Sequence, residues 1–395
     1  MTDAGVSRSD TSAARPGPGR RPEAPLTLRA TRGHEVVRLR DAPATVLDGS
    51  AWLASEPPRG PAPSRTLGAV PDGNRGAIVI GHEVELWGRS WLVAVKGVGA
   101  RSPLYGDTPA GFSHAHHLGG PLGGAGGSLL HAILRETWMG EAPYGAQGLE
   151  NALHALELSD SPLRDELAPC VLCPVLAVVE IPDHEVIDLF HYRRHRGPVV
   201  QEHRLVPSTV RLFHQSELAL GRDCEGALAA LGVDSAEALD LFLDRYLGSA
   251  LALLTVAARS ARVRDGTIEV LDYEDAWLDK DAFVAPDGAV AFADLEALIW
   301  GPVRDEAALA ERIRRQIERN AYEVLYGADA LLGALERWTG RPRDQRGRRE
   351  ALARTVELAV ASDPCLDLVR VPDGWDLVVR PRLGPEVRVR WLDAR

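Results

Sequence analysis

The stretch Trp91-Leu-Val-Ala-Val-Lys-Gly-Val-Gly99 constrains this chain more than any other. An apolar, β-prone run delivers a single lysine, Lys96, straight into a glycine-rich turn. An ammonium at the end of a buried strand is costly unless an anion meets it. A compact, strongly hydrated point charge of this kind suits a phosphate, and a nucleotide supplies the commonest one in such a setting.

The residues before Lys96 describe the strand's partner. Pro71-Asp72-Gly73-Asn74-Arg75-Gly76 is a glycine loop, Ala77 to Ile80 an apolar strand, and Trp87-Gly88-Arg89 a short turn that leads back to Lys96. Turn, strand, turn, strand is a β-hairpin with a glycine loop at its front. Backbone without side chains can approach a polyphosphate closely and offer it N–H groups.

At 395 residues the chain exceeds one ordinary core, so two lobes are expected. A formal net charge of −11 excludes a general binder of nucleic acid or of anionic membrane, since neither is attracted by such a field. No apolar run approaches the roughly 20 residues that cross a bilayer. Residues 1–25 are rich in Ser, Pro, Gly, Ala and Arg without an apolar core, and read as a disordered tail rather than a signal peptide. Four cysteines, Cys170, Cys173, Cys224 and Cys365, suit a reducing cytoplasm, and the lone Cys170-Val-Leu-Cys173 reads as buried strand rather than zinc site.

Residues 102–128 are glycine-rich and carry His114, His116 and His117, which reads as a mobile insertion. Helical pattern follows from Leu129 to Trp138, with Glu141 just beyond, and again from Gln147 to Leu158. Val171 to Ile181 reads as a buried strand or a hinge between lobes, and the basic segment 191–196 as an exposed loop. Ala227 to Ala261 is evenly apolar at helical spacing and predicts the centre of an α-rich lobe. Asp305 to Trp338 is a further helix, and Leu366 to Trp391 a small β-meander.

The most informative spacing is late. Asp281 precedes an apolar strand, Asp287-Gly288 makes a turn, and a second apolar strand ends at Asp294. Protein kinases carry a metal ligand before such a hairpin and the magnesium-binding aspartate after it, and Val93-Ala94-Val95-Lys96 has the form of their V-A-I-K strand. In this order Lys96 neutralises phosphate charge, a helix carboxylate, best Glu141, holds the ammonium by an ion pair, and Asp281 and Asp294 take Mg²⁺. The kinase catalytic base is not in register: its position falls on Ala276, between Asp275 and Asp279.

Four segments resemble the selenoprotein O family of kinase-like protein AMP-transferases. Asp72 to Ile78 with Gly88-Arg89-Ser90-Trp91 and Lys96-Gly97-Val98-Gly99 is similar to its G-D-G-R-A…G-R-x-W-x-x-x-x-K-G-S-G pattern. Arg135-Glu136-Thr137-Trp138-Met139-Gly140-Glu141-Ala142 resembles R-E-F-L-x-S-E-A, Arg204 to Arg211 resembles R-V-A-x-S-x-x-R, and Leu278-Asp-Lys-Asp281 resembles L-N-T-D-N. The family's D-Y-G-P motif is absent, with Phe292-Ala-Asp-Leu-Glu296 the nearest substitute.

The resemblance implies a two-lobed, protein-kinase-like α+β fold. Its β-rich N-lobe would cover 26–182, its helical C-lobe with the metal hairpin 183–340, and a C-terminal extension with the meander 341–395. It implies ATP held in a reversed orientation with Mg²⁺ or Mn²⁺, and AMP transfer to Ser, Thr or Tyr hydroxyls of a protein. Gly73, Arg75 and Gly76 would face the nucleotide, Lys96, Arg204 and Arg211 would grip its inward phosphates, Glu141 would position Lys96, Asp281 would serve as base or metal ligand, and Asp294 as metal ligand. Two further readings stand beside it: phosphoryl transfer to a protein or small-molecule hydroxyl with Asp275 or Asp279 as base, and a pseudokinase scaffold.

Overall fold

The computed structural model describes residues 26–55, 65–72, 76–98, 147–187, 196–211, 224–273, 282–361 and 363–393. The tail 1–25, the insertion 102–128 and the helix expected at Leu129 to Trp138 lie outside them.

The β-rich part begins with β1 (Leu26–Thr31), β2 (His34–Arg38), β3 (Ala51–Ser55), β4 (Thr66–Asp72), β5 (Gly76–Leu86) and β6 (Arg89–Lys96). After β7 (Gln147–Gly148), α1 (Leu149–Ser159) and the single turn α2 (Leu163–Glu166) come β8 (Val171–Leu172), β9 (Val175–Ile187) and β10 (Arg196–Val206). Nine of these strands form one antiparallel sheet in the order β2-β9-β10-β6-β5-β4-β1-β3, with β7 on β10. The consecutive strands β1 and β2 stand on opposite sides of that order, so the sheet curls back on itself about residues 32–33. Gly33 permits the bend, because a Cβ there would lie 2.4 Å from the Ala51 nitrogen. Leu28, Trp52, Trp91, Val93, Val95 and Leu205 fill the inside of the curl.

The expected hairpin is β5–β6. Its turn, Trp87-Gly88, has positive φ at both residues, as a tight two-residue hairpin turn requires. The lobe boundary expected at 182 falls inside β9, and the sheet runs on through β10, which pairs with β9 on one edge and β6 on the other.

The second part is helical. It holds α3 (Cys224–Ala230), α4 (Ala236–Leu254), α5 (Val256–Ser260), the ladder β11 (Arg262–Arg264) and β12 (Thr267–Tyr273), and the hairpin β13 (Ala282–Val284) with β14 (Val290–Phe292). β15 (Leu298–Val303) joins β12, and α6 (Glu306–Thr339) and α7 (Gln345–Val360) precede the meander β16 (Leu366–Val371), β17 (Gly374–Val379), β18 (Val387–Asp393). The apolar stretch 227–261 is divided where Gly232, at φ +74, ends α3 and Ser235 caps α4 by accepting from the Ala238 N–H. Leu239, Phe242, Leu243, Tyr246, Leu247, Ala250 and Leu251 of α4 are buried, as its even apolar content predicts. Leu309, Ile313, Ile317 and Val324 of α6 and Val379, Val387 and Val389 of the meander belong to the same core. The chain is thus a mixed α+β fold with a β-rich first part, a helical second part and a small β extension, as the sequence leads one to expect. Among the described residues no helix is long and apolar enough to cross a membrane.

Candidate functional site

The site lies where the β13–β14 hairpin meets the curled sheet. β14 pairs in parallel with β8, and the Cys173 N–H donates to the Phe292 carbonyl at 2.8 Å. Two residues on, the same segment enters β9, and the Leu205 N–H of β10 donates to the Pro174 carbonyl. On the other side the Ser208 hydroxyl donates to the Val284 carbonyl at 2.6 Å and accepts from the Val210 N–H at 2.9 Å. The Val284 N–H returns a bond to the Val210 carbonyl at 2.8 Å. Ser208, midway between Arg204 and Arg211, therefore fastens the hairpin to the end of β10. The Asp287-Gly288 turn packs on α4, where a Cβ at Gly288 would lie 2.5 Å from the Phe242 carbonyl oxygen.

With the hairpin so placed, Asp294 reaches Lys96 from 198 residues away. Lys96 is 2% exposed, and its Nζ donates to Asp294 Oδ1 at 3.2 Å and to Glu296 Oε1. Arg204, 1% exposed, donates from Nη1 to the same Asp294 oxygen at 3.2 Å. His154 of α1 contacts the Leu298 carbonyl through Nε2 at 2.6 Å, which docks α1 on the turn Leu295–Ala297 that carries Glu296.

The strand register gives Lys96 its flanks. Gly76 of β5 stands directly opposite it on one edge and Glu202 of β10 on the other. Residues paired in this way share a face, so position 76 puts no side chain beside the ammonium, while Glu202 flanks it on the other side. Arg204, two residues along β10, lies on the same face as Glu202.

Burial alone would pull the Lys96 ammonium down, but the charges of Asp294, Glu296 and Glu202 outweigh it and raise its pKa. Burial also lifts the Glu202 carboxyl to about 7, against the opposing pull of Lys96 and Arg204. Two cations thus face two carboxylates and a third acid, Glu202, whose pKa burial raises.

Of the residues singled out from the sequence, Lys96, Arg204, Asp294 and Gly76 are brought together. Arg211 is buried, but its guanidinium lies over the Phe283 ring, 4.5 Å from the centroid, against β13. Gly73, Arg75, Glu141 and Asp281 lie outside the described residues, as do Asp275, Asp279 and the histidines at 114, 116 and 117. Glu202 and Glu296 were not foreseen. One composition signal points to the site: only two of the 45 basic residues are lysines, Lys96 and Lys280. Where arginine fills nearly every other cationic role, a retained lysine marks a place that wants a compact ammonium.

The cysteines Cys170 and Cys173 are free and buried around β8, and burial pushes the Cys170 thiol up to about 12, so it is held as an inert thiol.

No protein-family model matches the chain, and no curated protein matches it. Among solved structures it is similar to the kinase domain of a rhoptry antigen specific to Toxoplasma gondii, at 13% identity and a TM-score of 0.27, over 74% of this chain and 76% of that one. It is also similar to ROP2 from Toxoplasma gondii, a virulence factor with a protein-kinase fold and no enzymatic activity, at 13% identity and a TM-score of 0.27, over 76% and 80% of the two chains.

Proposed function

We propose that this protein binds ATP with Mg²⁺ or Mn²⁺ in a kinase-like cleft between the sheet and the β13–β14 hairpin. One observation carries the reading: Lys96 and Arg204, two buried cations from neighbouring strands, converge on Asp294 and Glu296 beside the side-chain-free position 76. The cations suit a polyphosphate and the carboxylates a hard metal ion.

The donor set fits such an ion. Asp294 and Glu296 offer hard oxygens, and Glu296 Oε2 is buried without a hydrogen-bond partner among the described residues. No cluster of three or more metal-ligating side chains is found among those residues. The fit rests on the two carboxylates alone: Mg²⁺ commonly takes one or two from the protein and its remaining oxygens from phosphate and water. When bound, the ion would neutralise polyphosphate charge. Lys96 and Arg204, released by their carboxylate partners, would then hold phosphate oxygens, and Asp294 and Glu296 would hold the metal ion.

The transfer we favour is adenylyl transfer: an acceptor hydroxyl gives its proton to solvent, its oxygen bonds the α-phosphorus, and the bond from that phosphorus to the bridging oxygen breaks as pyrophosphate leaves. Its support is Arg204, a second buried cation next to Lys96, which suits β- and γ-phosphates pointing inward. A second reading, a nucleotide-binding scaffold without turnover, is supported by the closed state of the cluster. Among the described residues the Lys96 ammonium bonds the carboxylates of Asp294 and Glu296, so its charge is met before any nucleotide arrives.

Incubation with Mg²⁺ or Mn²⁺ and ATP, followed by intact-mass analysis and a nucleotide-binding isotherm, separates these. An AMP adduct lost in Lys96→Met establishes adenylyl transfer, and a phosphate adduct establishes phosphoryl transfer instead. Binding without an adduct on the protein or on acceptors from its own lysate establishes the scaffold. Binding that persists unchanged in Lys96→Met, or keeps its metal dependence in Asp294→Asn, overturns the placement of the nucleotide.

A further inference from the structure

We propose that Glu202 is a positioning residue for Lys96: it holds the ammonium from the sheet side when Asp294 and Glu296 turn to a metal ion. The inference rests on the nucleotide reading above and extends it to a residue with no part in that reading so far.

The argument begins with the strands. β10 and β6 are antiparallel neighbours, and Glu202 is the direct cross-strand partner of Lys96, with His203 opposite Val95 and Arg204 opposite Ala94. Direct partners place their Cβ atoms about 5 Å apart on one face. Glu202 is 1% exposed, and a carboxylate so buried in a sheet is unfavourable without a cation near it. The charged groups around Lys96 come from two sources: Asp294 and Glu296 from the segment after β14, Glu202 and Arg204 from β10.

The two sources differ in freedom. Asp294 and Glu296 lie beyond the last paired residue of their hairpin, on a three-residue turn. Glu202 lies in mid-strand, with ladder partners on both sides: Lys96 on β6 and Val178 on β9. Carboxylates recruited by a metal ion give up their bonds to Lys96 and Arg204. The mid-strand carboxylate stays where the sheet puts it. Glu202 then keeps the lysine charged and aimed at the phosphates, while Arg204 on the same face limits how far the ammonium can swing.

The test compares wild type, Glu202→Gln and Glu202→Asp for binding of Mg·ATP and of adenosine, after a thermal melt shows which variants fold. Adenosine has no phosphate and does not sense the ammonium. Glu202→Gln is expected to weaken Mg·ATP about tenfold or more and leave adenosine unchanged, with Glu202→Asp between it and wild type. Equal weakening of both ligands, or none, overturns the proposal. If Glu202→Gln does not fold, Glu202→Asp is read by the same criterion.

Failure of wild type to bind ATP overturns the nucleotide reading, and the positioning role is then judged separately. Protein grown on ¹³C-lysine gives signals from Lys96 and Lys280 only, since the chain has no other lysine. At fixed pH, Mg²⁺ should displace the Lys96 side-chain signal further in Glu202→Gln than in wild type, with Lys280 as internal reference. Equal displacement in the two proteins overturns the role.

Discussion

Gln201 lies one residue before Glu202 on the opposite face of β10, and its replacement by leucine tests how the lysine corner is held. Its side-chain oxygen accepts from the Trp52 N–H at 2.8 Å, and its nitrogen donates to the Trp52 carbonyl at 2.6 Å and to the carbonyl of Gly97 at 2.8 Å. The amide thus acts as a piece of strand, bonding the edge strand β3 on one side and the residue after Lys96 on the other. Gln201 and Trp52 are both fully buried. Leucine fills similar space and leaves three backbone groups without partners. A buried orphan costs about 1–3 kcal/mol, carbonyls less than N–H groups, and the added apolar burial returns about 1–2 kcal/mol. A net loss of about 3 kcal/mol follows, a large share of the roughly 5–15 kcal/mol that holds a domain together. Urea unfolding followed by tryptophan fluorescence measures it, and hydrogen exchange at the Trp52 amide locates it. A loss below about 1 kcal/mol, or a Trp52 amide as protected as in wild type, refutes the reasoning. Gln201→Glu is the sharper control. It keeps the acceptor for the Trp52 N–H but turns an oxygen toward two carbonyls, so its penalty should shrink as pH falls and the carboxyl protonates.

His203, fully buried beside these residues, has its pKa lowered by burial to about 4. A folded-state value below the unfolded one means that stability is complete above about 6.5 and declines as pH falls toward 4, by up to about 3 kcal/mol. His203→Asn should flatten that decline in melts taken across the window, and an unchanged slope refutes the assignment. Tyr246 of α4 is buried with no hydrogen-bond partner for its hydroxyl among the described residues, and a Cβ at Gly327 of α6 would lie 2.3 Å from that oxygen. Gly327→Ala should cost about 1–3 kcal/mol, Tyr246→Phe should gain up to about 1 kcal/mol, and the double variant should recover most of the loss in a double-mutant cycle. Strict additivity would show that the two residues do not meet. Gly288→Ala meets both a positive φ of +92 and the Phe242 backbone, so it should destabilise by about 3 kcal/mol or more and lower nucleotide affinity through the hairpin. Wild-type stability in this variant would count against the packing described.

Much of the frame was legible because it is written in local chemistry. Trp87-Gly88 and Asp287-Gly288 announce hairpins, Asp305 caps the long helix α6 by accepting from the Ala308 N–H, and the last strands alternate across turns at 372–374 and 383–385. Lys96 and Asp294 could be found because each ends an apolar strand. β10 could not be read in this way. Gln201-Glu202-His203-Arg204 is four polar residues in a row, with no period of two, because both faces of the strand carry polar work: Gln201 and His203 on one, Glu202 and Arg204 on the other. Glu296 was hidden for another reason. Its relation to Lys96 depends on how the hairpin is hung from β8 and Ser208, and no spacing within the chain encodes that attachment.

The separation of 198 residues between Lys96 and Asp294 also sets a timetable. During synthesis the strand carrying the lysine is complete long before its acid exists, and long-range pairings of this kind form slowly because chain closure precedes any reward. Until the β13–β14 hairpin emerges, Lys96 and Arg204 lack Asp294 and Glu296, while Glu202 already stands opposite Lys96 in the sheet. A nascent chain stopped before residue 282 therefore holds these cations without the two carboxylates that the finished protein brings to them. Completion of the hairpin is the step that gives both cations their carboxylate partners.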